Sequence, residues 1–297
     1  VVCISRCYDG TTIAPYYKSF QRYRGPCTVM HAFVDAMPDT PEAFNASLPG
    51  IVFEDYYGYV EAAQQALPRF HFKKKQNGEV MRLVILQVFV PRYRGVYGSY
   101  ISADTRDMLF MADPFESLRR DYAFAHDTTN EWFFALNEDF VYEPIPPYNM
   151  IWVKGLTNDE VSDMLQWKVR VRGHPEWLWA LNSGLIAGTG QALVDMADLM
   201  VQTLMKGPGD EMGYDQGALN IIAYLGLEIA QFPHRVVVLH PSAAPFRHLY
   251  RAVRNIRRDT EGRHLNCYGK PYAMMHQFDR AKRLYKNYTA QYRDGKS

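Results

Sequence analysis

The sequence predicts an α/β protein with three layers, in which helices cover both faces of a mostly parallel central sheet. Short apolar runs typical of strands alternate with longer segments of helical periodicity through the first half of the chain. Parallel strands need such helical crossovers, so the βαβα order favours one sheet between two helical layers. The composition, 47% apolar and 22% charged over 297 residues, provides for a sizeable core.

The elements of the first half follow from the order of these runs. The chain opens on a strand, and Thr11 or Thr12 can cap the helix that comes next. Strands are predicted at residues 1–5, 27–33, 51–53 and 100–103, and helices at about 12–24, 41–46, 59–67 and 79–90. The apolar stripe of the last of these helices is formed by Met81, Val84, Ile85 and Val88.

The second half is less regular, and we interpret it as an elaboration of one continuous domain that spans residues 1–297. The prolines of the segment 143–147 predict a loop, because proline breaks both helices and strand ladders. The motif Thr157-Asn158-Asp159-Glu160 matches a capping box and predicts a helix to about residue 167. Further helices are predicted at 191–205, 214–224 and 279–292, a strand at 236–239 and a short apolar run at 185–187.

The charge balance limits the classes of partner. Lys and Arg total 33 and Asp and Glu total 32, which gives a net charge of +1, whereas dedicated nucleic-acid binders usually carry a marked basic excess. Basic residues concentrate in the segment 247–264 and in the tail after Asp279. This pattern indicates either a solvated helix face or a surface that attracts a phosphorylated or acidic ligand. No apolar run approaches the length of a membrane span.

Two carboxylates follow the predicted strand at residues 100–103. Asp104 and Asp107 stand three residues apart, and a second short apolar run comes directly after them. Open α/β sheets bind ligands at the ends of their strands, and carboxylate oxygens suit Mg²⁺ or Mn²⁺. The segment therefore predicts a metal site that can hold a diphosphate. The alternative is a turn capped by one Asp, with the other paired to Arg106 or Arg119.

His276 is the candidate for a nitrogen ligand. It ends an apolar run just before a predicted helix, and an imidazole added to two carboxylates would complete a mixed O/N set suited to Mn²⁺. Asp279 would then orient the imidazole or offset charge from the second layer of contacts. Taken alone, such a histidine is more often a packed or surface residue than a ligand.

Three further features carry polar groups that a sugar or a diphosphate would need. Gly184 in Asn182-Ser183-Gly184 permits close approach of the backbone to a ligand, although a turn before a strand also explains this motif. Glu211 and Asp215 lie beside a helix start, where a carboxylate either caps the helix or serves as a general base or sugar clamp. Arg82 lies on a helix and could face the diphosphate, although a surface salt bridge is the more common role.

Taken in order, these blocks resemble a GT-A-fold glycosyltransferase that uses a nucleotide-sugar donor. The matching pieces are the opening strand Val1–Ser5 and the segments SADTRDMLFMADPF, NSGLIAG, DQGALN and HQFDR. The pattern is similar to that of bacterial and large-virus sugar transferases, and it covers residues 1 to about 285. In such enzymes the acidic segment after the fourth strand serves as the DxD motif. The spacing here is DxxD, so the resemblance does not assign which carboxylate touches the metal.

The resemblance implies a metal-dependent mechanism. Mn²⁺ or Mg²⁺ held by Asp104, Asp107 and His276 would act as the Lewis acid toward a UDP- or GDP-linked sugar donor. The acceptor would be a hydroxyl of a glycan or glycoconjugate. The nucleotide-binding half would span about residues 1–140, and the acceptor-side half about residues 141–297.

Roles for other residues also follow from the resemblance. The donor-binding set would be Ser5, Tyr8, Asp9, Arg82, Asp104, Thr105, Asn182, Ser183 and Gly184. Asp215 would lie near the acceptor hydroxyl. If the enzyme inverts the configuration of the sugar, Asp215 or Glu211 is the candidate catalytic base, whereas a retaining enzyme needs no external base.

Two other functions stay open on the sequence. A metal-dependent phosphoesterase or nucleotidyltransferase would use the same Asp-Asp-His set, although the chain lacks a basic, Gly-rich phosphate loop near its start. A catalytically inactive glycan-binding scaffold would keep the same fold. The compartment is also open between the cytoplasm and the Golgi lumen, because the chain begins inside a strand without Met, as a domain trimmed of an anchor would.

Overall fold

The computed structural model describes the chain as two compact units. The first comprises Val1–Tyr56, Ile101–Thr129 and Leu239–Ser297, and the second comprises Tyr57–Tyr100 and Asn130–Val238. The description leaves out residues 6–9, 35–47, 71–77, 123–130, 138–146, 157–179, 208–212, 227–231, 250–255, 281–285, 289, 291 and 293–297. The predicted segments that lie outside the described residues are 41–46, 143–146 and 157–167.

Strands and helices alternate along the described chain. The strands are β1 Val2–Ser5, β2 Met30–Val34, β3 Ile51–Asp55, β4 Ser99–Ala103, β5 Met108–Phe110, β6 Trp132–Asn137, β7 Leu181–Thr189, β8 Arg235–Leu239, β9 Phe246–His248 and β10 Met274–His276. The helices are α1 Gly10–Tyr23, α2 Val60–Ala66, α3 Gly78–Arg92, α4 Pro114–Tyr122, α5 Pro147–Leu156, α6 Gly190–Lys206 and α7 Tyr214–Ile221. The second predicted strand begins only at Met30, because Pro26 and Cys27 form a turn.

The central sheet has seven strands in the order β3-β2-β1-β4-β7-β6-β8. In it, β1 pairs in parallel with both β2 and β4, and β2 pairs in parallel with β3. Strands β6 and β7 pair antiparallel. The predicted α/β class with a mostly parallel central sheet is confirmed.

The order of strands in the first unit creates a topological switch point. The chain proceeds outward from β1 to β2 and β3, and then returns to place β4 on the other side of β1. Open α/β sheets bind ligands at the carboxyl ends of their strands at such a point, here the ends of β1 and β4. Asp104 is the first residue after β4, so the acidic segment begins at the switch point.

A second, three-stranded sheet in the order β5-β10-β9 was not predicted from the sequence. The central strand β10 pairs antiparallel with β5 and parallel with β9. Each of these strands has three residues, too few to show a periodicity, and β9 and β10 lie far from β5 in the chain. The pairing sets His276 opposite Met108 on one side and His248 on the other.

Aromatic packing joins α1 to the small sheet within the first unit. The ring of Phe110 lies 5.3 Å from the rings of both Tyr16 and Phe20, measured between centroids. The buried Ser19 hydroxyl accepts a hydrogen bond from the Phe110 backbone N–H at 3.1 Å, and donates to the Tyr16 carbonyl at 2.9 Å. These contacts anchor β5, and with it the end of the acidic segment.

Helix α3 in the second unit is buried more completely than its predicted stripe indicates. Leu83, Leu86 and Phe89 are buried in addition to Met81, while Val88 is only half-buried. The reason is that α3 packs against both α2 and α6, so more than one face is covered. The sequence prediction of a helix is right here, but a single-stripe burial pattern is wrong.

One interpretation of the second half is wrong. Asn182, Ser183 and Gly184 lie inside the nine-residue strand β7 rather than in a turn before it, and the strand is buried along eight of its residues. The described part of the predicted C-terminal helix, residues 286–288, 290 and 292, is helical, and a short 3₁₀ turn at Phe278–Arg280 precedes it. No helix among the described residues combines the length and apolar character that crossing a bilayer requires.

Candidate active site

The connection between β4 and β5 carries both predicted carboxylates. Residues 104–107 turn the chain from the central sheet into the small sheet, so Asp104 follows the end of one strand and Asp107 precedes the start of the next. Thr105 fixes this turn, because its buried hydroxyl donates a 2.6 Å hydrogen bond to the carbonyl of Ile4 in β1. The acidic turn is thereby attached to the carboxyl end of the neighbouring strand.

The structure brings Asp104, Asp107 and His276 together. The Nε2 atom of His276 lies 3.3 Å from Asp104 Oδ2 and 3.6 Å from Asp107 Oδ1. One ligand atom from each of the three residues lies within 4.8 Å of the others. His276 and Asp107 are buried, whereas the Asp104 side chain is 36% exposed. The cluster is therefore a mostly enclosed site with one carboxylate facing solvent.

Backbone pairing holds His276 at the acidic turn. The N–H of Phe278 donates to the Asp107 carbonyl at 3.2 Å, and the N–H of Leu249 donates to the His276 carbonyl at 2.9 Å. Gln277, which lies between His276 and Phe278 in the chain, adopts a φ of 57°. This left-handed conformation is uncommon for a residue other than glycine. Such backbone strain is often found at functional sites, where surrounding contacts maintain it.

Further side chains pack around Asp104, Asp107 and His276. The ring of the fully buried His248 lies 5.0 Å from the ring of His276. Arg106 does not form the predicted structural pair with Asp107; its guanidinium lies 3.4 Å from Asp279. That contact connects the acidic turn to the turn after His276. The interpretation of His276 as a surface residue is wrong, since its side chain is 1% exposed.

The electrostatics of the cluster favour a cation. Burial is the largest cause of a raised pKa at Asp107; the His276 imidazole opposes this shift, and the charges of Asp104 and Asp279 add to it. A negative charge at Asp107 is thus unfavourable in the protein as it stands. Two carboxylates and one imidazole nitrogen are a donor set that suits Mn²⁺ or Mg²⁺, and such an ion would offset the unfavourable charge. The side chains present fit the predicted metal.

A second polar cluster, in the second unit, contains Arg82 and Asp215. The Arg82 guanidinium donates to Asp215 Oδ2 at 3.1 Å and to the Ser183 carbonyl at 3.0 Å, and its Nε donates to the Glu79 carbonyl at 2.8 Å. Both side chains of the ion pair are buried, at 7% and 2% exposure. The interpretation of Arg82 as a surface salt bridge is therefore wrong.

Amide side chains of α7 hold the start of β7 in this cluster. The Gln216 side-chain oxygen accepts hydrogen bonds from Asn182 Nδ2 at 3.2 Å and from the Ser183 N–H at 3.4 Å. The Asn220 amide accepts from the Leu181 N–H and donates to the Leu181 carbonyl, both at 2.9 Å. Sequence reasoning missed Gln216 and Asn220 as positioning residues. Their spacing of four along a helix, on the same face as buried residues, was the available signal.

The remaining predicted site residues are only partly placed. Tyr8, Asp9 and Glu211 lie outside the described residues, as does the side chain of Ser5. Asp215 lies in the first turn of α7, where a carboxylate also interacts favourably with the helix dipole. Its proposed part in catalysis stays a prediction.

Comparison with known proteins supports the fold. No protein-family model matches the sequence, and no curated protein sequence matches it significantly. Among solved structures, the chain is similar to mouse xyloside xylosyltransferase 1 in its apo form, with 12% sequence identity and a TM-score of 0.51. The alignment covers 93% of this chain and 96% of that one. The predicted GT-A-like α/β fold is therefore confirmed, at a sequence identity that shows fold alone.

Proposed function

We propose that this protein is a metal-dependent glycosyltransferase that moves a sugar from a nucleoside-diphosphate donor to a hydroxyl of a glycan or glycoconjugate acceptor. The observation that carries the proposal is the convergence of Asp104, Asp107 and His276 at the end of β4. These candidate ligands begin at the topological switch point of a sheet, in a chain whose fold resembles that of a solved glycosyltransferase.

Of the three candidate metal ligands, one side chain is exposed to solvent and two are buried. His276 and Asp107 are held by strand pairing and burial, so they would keep their positions when a donor arrives. The exposed Asp104 carboxylate would face the incoming diphosphate. When bound, Mn²⁺ or Mg²⁺ would stabilise the negative charge that develops on the departing nucleoside diphosphate.

The nucleotide would lie along the ends of β1 and β4. Ser5, Tyr8 and Asp9 follow from the carboxyl end of β1, and we assign them to the border of the nucleotide. Thr105 would act by holding the acidic turn against β1 through its bond to the Ile4 carbonyl. A rigid turn is useful here, because a diphosphate that arrives between preformed ligands needs no reorganisation of the protein.

Residues of the second polar cluster would contact the sugar. Asn182, Ser183 and Gly184 would line it, with Arg82 and Asp215 positioning the start of β7. The Asp215 carboxylate already accepts a hydrogen bond from Arg82 and is nearly inaccessible. This favours a positioning role for Asp215 over proton transfer, and it leaves Glu211 as the candidate base of an inverting reaction.

The proposal is tested by titrating Mn²⁺ with UDP- and GDP-linked sugars and following the release of nucleoside diphosphate. Xylose donors belong in the panel, since the solved neighbour is named a xylosyltransferase. We expect metal-dependent cleavage at the anomeric carbon, lost in Asp107→Asn and retained in Asp121→Asn. Asp121 is a matched control, because it lies in the same unit and pairs with Lys270 instead.

Three outcomes would contradict the proposal in distinguishable ways. Cleavage at phosphorus would identify a phosphoesterase or nucleotidyltransferase with the same ligand set. Glycan binding that is unchanged by Asp107→Asn, without turnover, would identify an inactive scaffold. A protein that binds no nucleoside diphosphate, with or without metal, would exclude a nucleotide-sugar enzyme altogether.

A further inference from the structure

The first unit contains a cavity that the proposed transfer reaction does not use. It has a volume of about 110 Å³, and Phe110 and Met111 form part of its wall. The strand β5 connects it to the metal cluster, because Met108 at the other end of β5 pairs with His276. The two sites therefore lie at opposite ends of one short strand.

Tyrosines from two parts of the chain line this cavity. Tyr23 ends α1 and is half-buried, whereas Tyr288 and Tyr292 come from the C-terminal segment and are buried against the small sheet. Burial raises the pKa of both Tyr288 and Tyr292 far above the usual value. The Tyr288 hydroxyl donates to the Gly262 carbonyl at 3.4 Å, so of these two buried phenols Tyr292 is the one we assign as a donor to a bound anion.

The charged residues at the cavity leave one arginine available. Arg263 pairs with Asp259 at 2.7 Å and with Glu261 at 3.5 Å, so these charges largely offset one another. Arg258 also lines the cavity and is exposed, and no ion pair involves it among the residues that the structure describes.

The positive charge of Arg258 reaches the interior of this region. It opposes the burial-driven rise in the pKa of Tyr288. At the buried His264 it acts with burial, which is the larger cause, to lower the pKa to about 4. His264 is therefore neutral near pH 7. A second guanidinium, that of Arg22, lies 5.5 Å from the centre of the Tyr23 ring. The cavity thus combines buried tyrosines with the exposed positive charge of Arg258.

We propose that this cavity is a second ligand site, which binds the anionic end of a sugar that bears a carboxylate or phosphate group. The anion would bind the Arg258 guanidinium, and the sugar ring would pack against Tyr23. A cavity of about 150 Å³ accepts benzene, so this smaller and open one suits part of one ring rather than an oligosaccharide. The basic segment 247–264 is then a ligand-binding surface and not only a solvated face.

The site is tested by calorimetric titration of the intact protein with D-glucuronate and D-glucose 6-phosphate, with neutral D-glucose as reference. A charge-assisted hydrogen bond contributes enough that glucose should bind about tenfold more weakly than the better of the two anions. Arg258→Gln should remove that preference. Arg257→Gln is the matched control, since Arg257 is the exposed neighbour that donates to the Cys267 carbonyl instead.

The second ligand site is independent of the proposed transferase activity, and the variants separate the two. Asp107→Asn should abolish metal binding while leaving the anionic sugar bound. Equal binding of glucose and both anions would overturn the inference, as would an Arg258→Gln protein with unchanged affinities. Displacement of the anionic sugar by UDP with Mn²⁺ would also overturn it, because the sugar would then occupy the metal cluster. Binding of only one of the two anions would support the site and identify its anion.

Discussion

The two polar clusters of this protein each bury an aspartate, but they neutralise it differently. In the second unit, Asp215 faces the guanidinium of Arg82, one negative charge against one positive. In the first unit, Asp104 and Asp107 share the single imidazole of His276. The first cluster thus has an excess of negative charge even when the imidazole is protonated, and the second has none.

This difference separates a charge-balanced cluster from one whose carboxylates share too little positive charge. Arg82 donates hydrogen bonds to a carboxylate and two backbone carbonyls, so the charge of Asp215 is balanced within the protein. The acidic cluster has a carboxylate whose pKa is raised, chiefly by burial, which means that its ionised form is disfavoured. A bound cation would remove that penalty, and the protein by itself does not.

The largest expected effect comes from breaking the balanced pair. Arg82→Ala leaves the buried Asp215 carboxylate without its guanidinium, and loss of one partner of a buried ion pair costs about 3–5 kcal/mol. Urea unfolding followed by circular dichroism would measure the loss. The control is Arg92→Ala on the same helix, where an exposed side chain contacts Tyr59 and the expected cost is about 1 kcal/mol.

If Arg82→Ala were no more destabilising than Arg92→Ala, Arg82 would not be the group that balances the buried Asp215 charge. A double variant that replaces both Arg82 and Asp215 by apolar residues sharpens the test. It should recover much of the stability, because no uncompensated charge remains buried.

A smaller effect is expected when the unbalanced cluster is filled. Mn²⁺ at about one hundred times its dissociation constant should stabilise the wild-type protein by about 2.7 kcal/mol. Asp107→Asn should abolish this gain, since it removes one of three ligands. Thermal unfolding with and without Mn²⁺ provides the measurement. Equal stabilisation of the Asp107→Asn protein would show that the ion binds elsewhere.

In the absence of metal, the difference in stability between wild type and Asp107→Asn should depend on pH. Because the native pKa of Asp107 is raised above 3.8, the unfolded state loses its proton at lower pH than the folded state. Ionisation of Asp107 therefore lowers stability as pH rises through that window. Metal-free Asp107→Asn should be more stable than wild type at pH 7, and the difference should shrink as pH falls toward 3.8. The opposite trend would mean that His276 already neutralises the carboxylate.

The smallest effect is expected at the ion pair that spans the edge of the acidic cluster. Arg106 is 44% exposed and its guanidinium lies 3.4 Å from Asp279. Exposed pairs contribute about 0–1 kcal/mol, so Arg106→Gln should change the unfolding free energy by no more than that. A double-mutant cycle with Asp279→Asn would isolate the pair. A coupling energy as large as that of Arg82 with Asp215 would remove the contrast between solvated and buried pairs.

The features that local pattern alone predicts are those whose signal lies within a few residues. The strand that ends at Ala103, the two aspartates after it and the crossover helices of the first half are examples. Hydrophobic periodicity is a local property, so it appears directly in the sequence. The sequence predicts Asp104 and Asp107 as candidate metal ligands for the same reason, because a strand end and two nearby carboxylates can be recognised without knowing what packs around them. The predicted cap at Thr11 or Thr12 is wrong, because the helix begins at Gly10.

Contacts between residues that are distant in the chain are seen only in the tertiary structure. Arg82 and Asp215 are 133 positions apart, and their charge balance exists only because β7 and α7 pack beside α3. His276 joins the acidic turn through a three-stranded sheet whose strands are too short to carry a periodicity. Burial and electrostatic environment depend on neighbours that the local sequence does not specify. For that reason tertiary packing decided that Asp215 has a guanidinium of its own, whereas Asp104 and Asp107 share one imidazole.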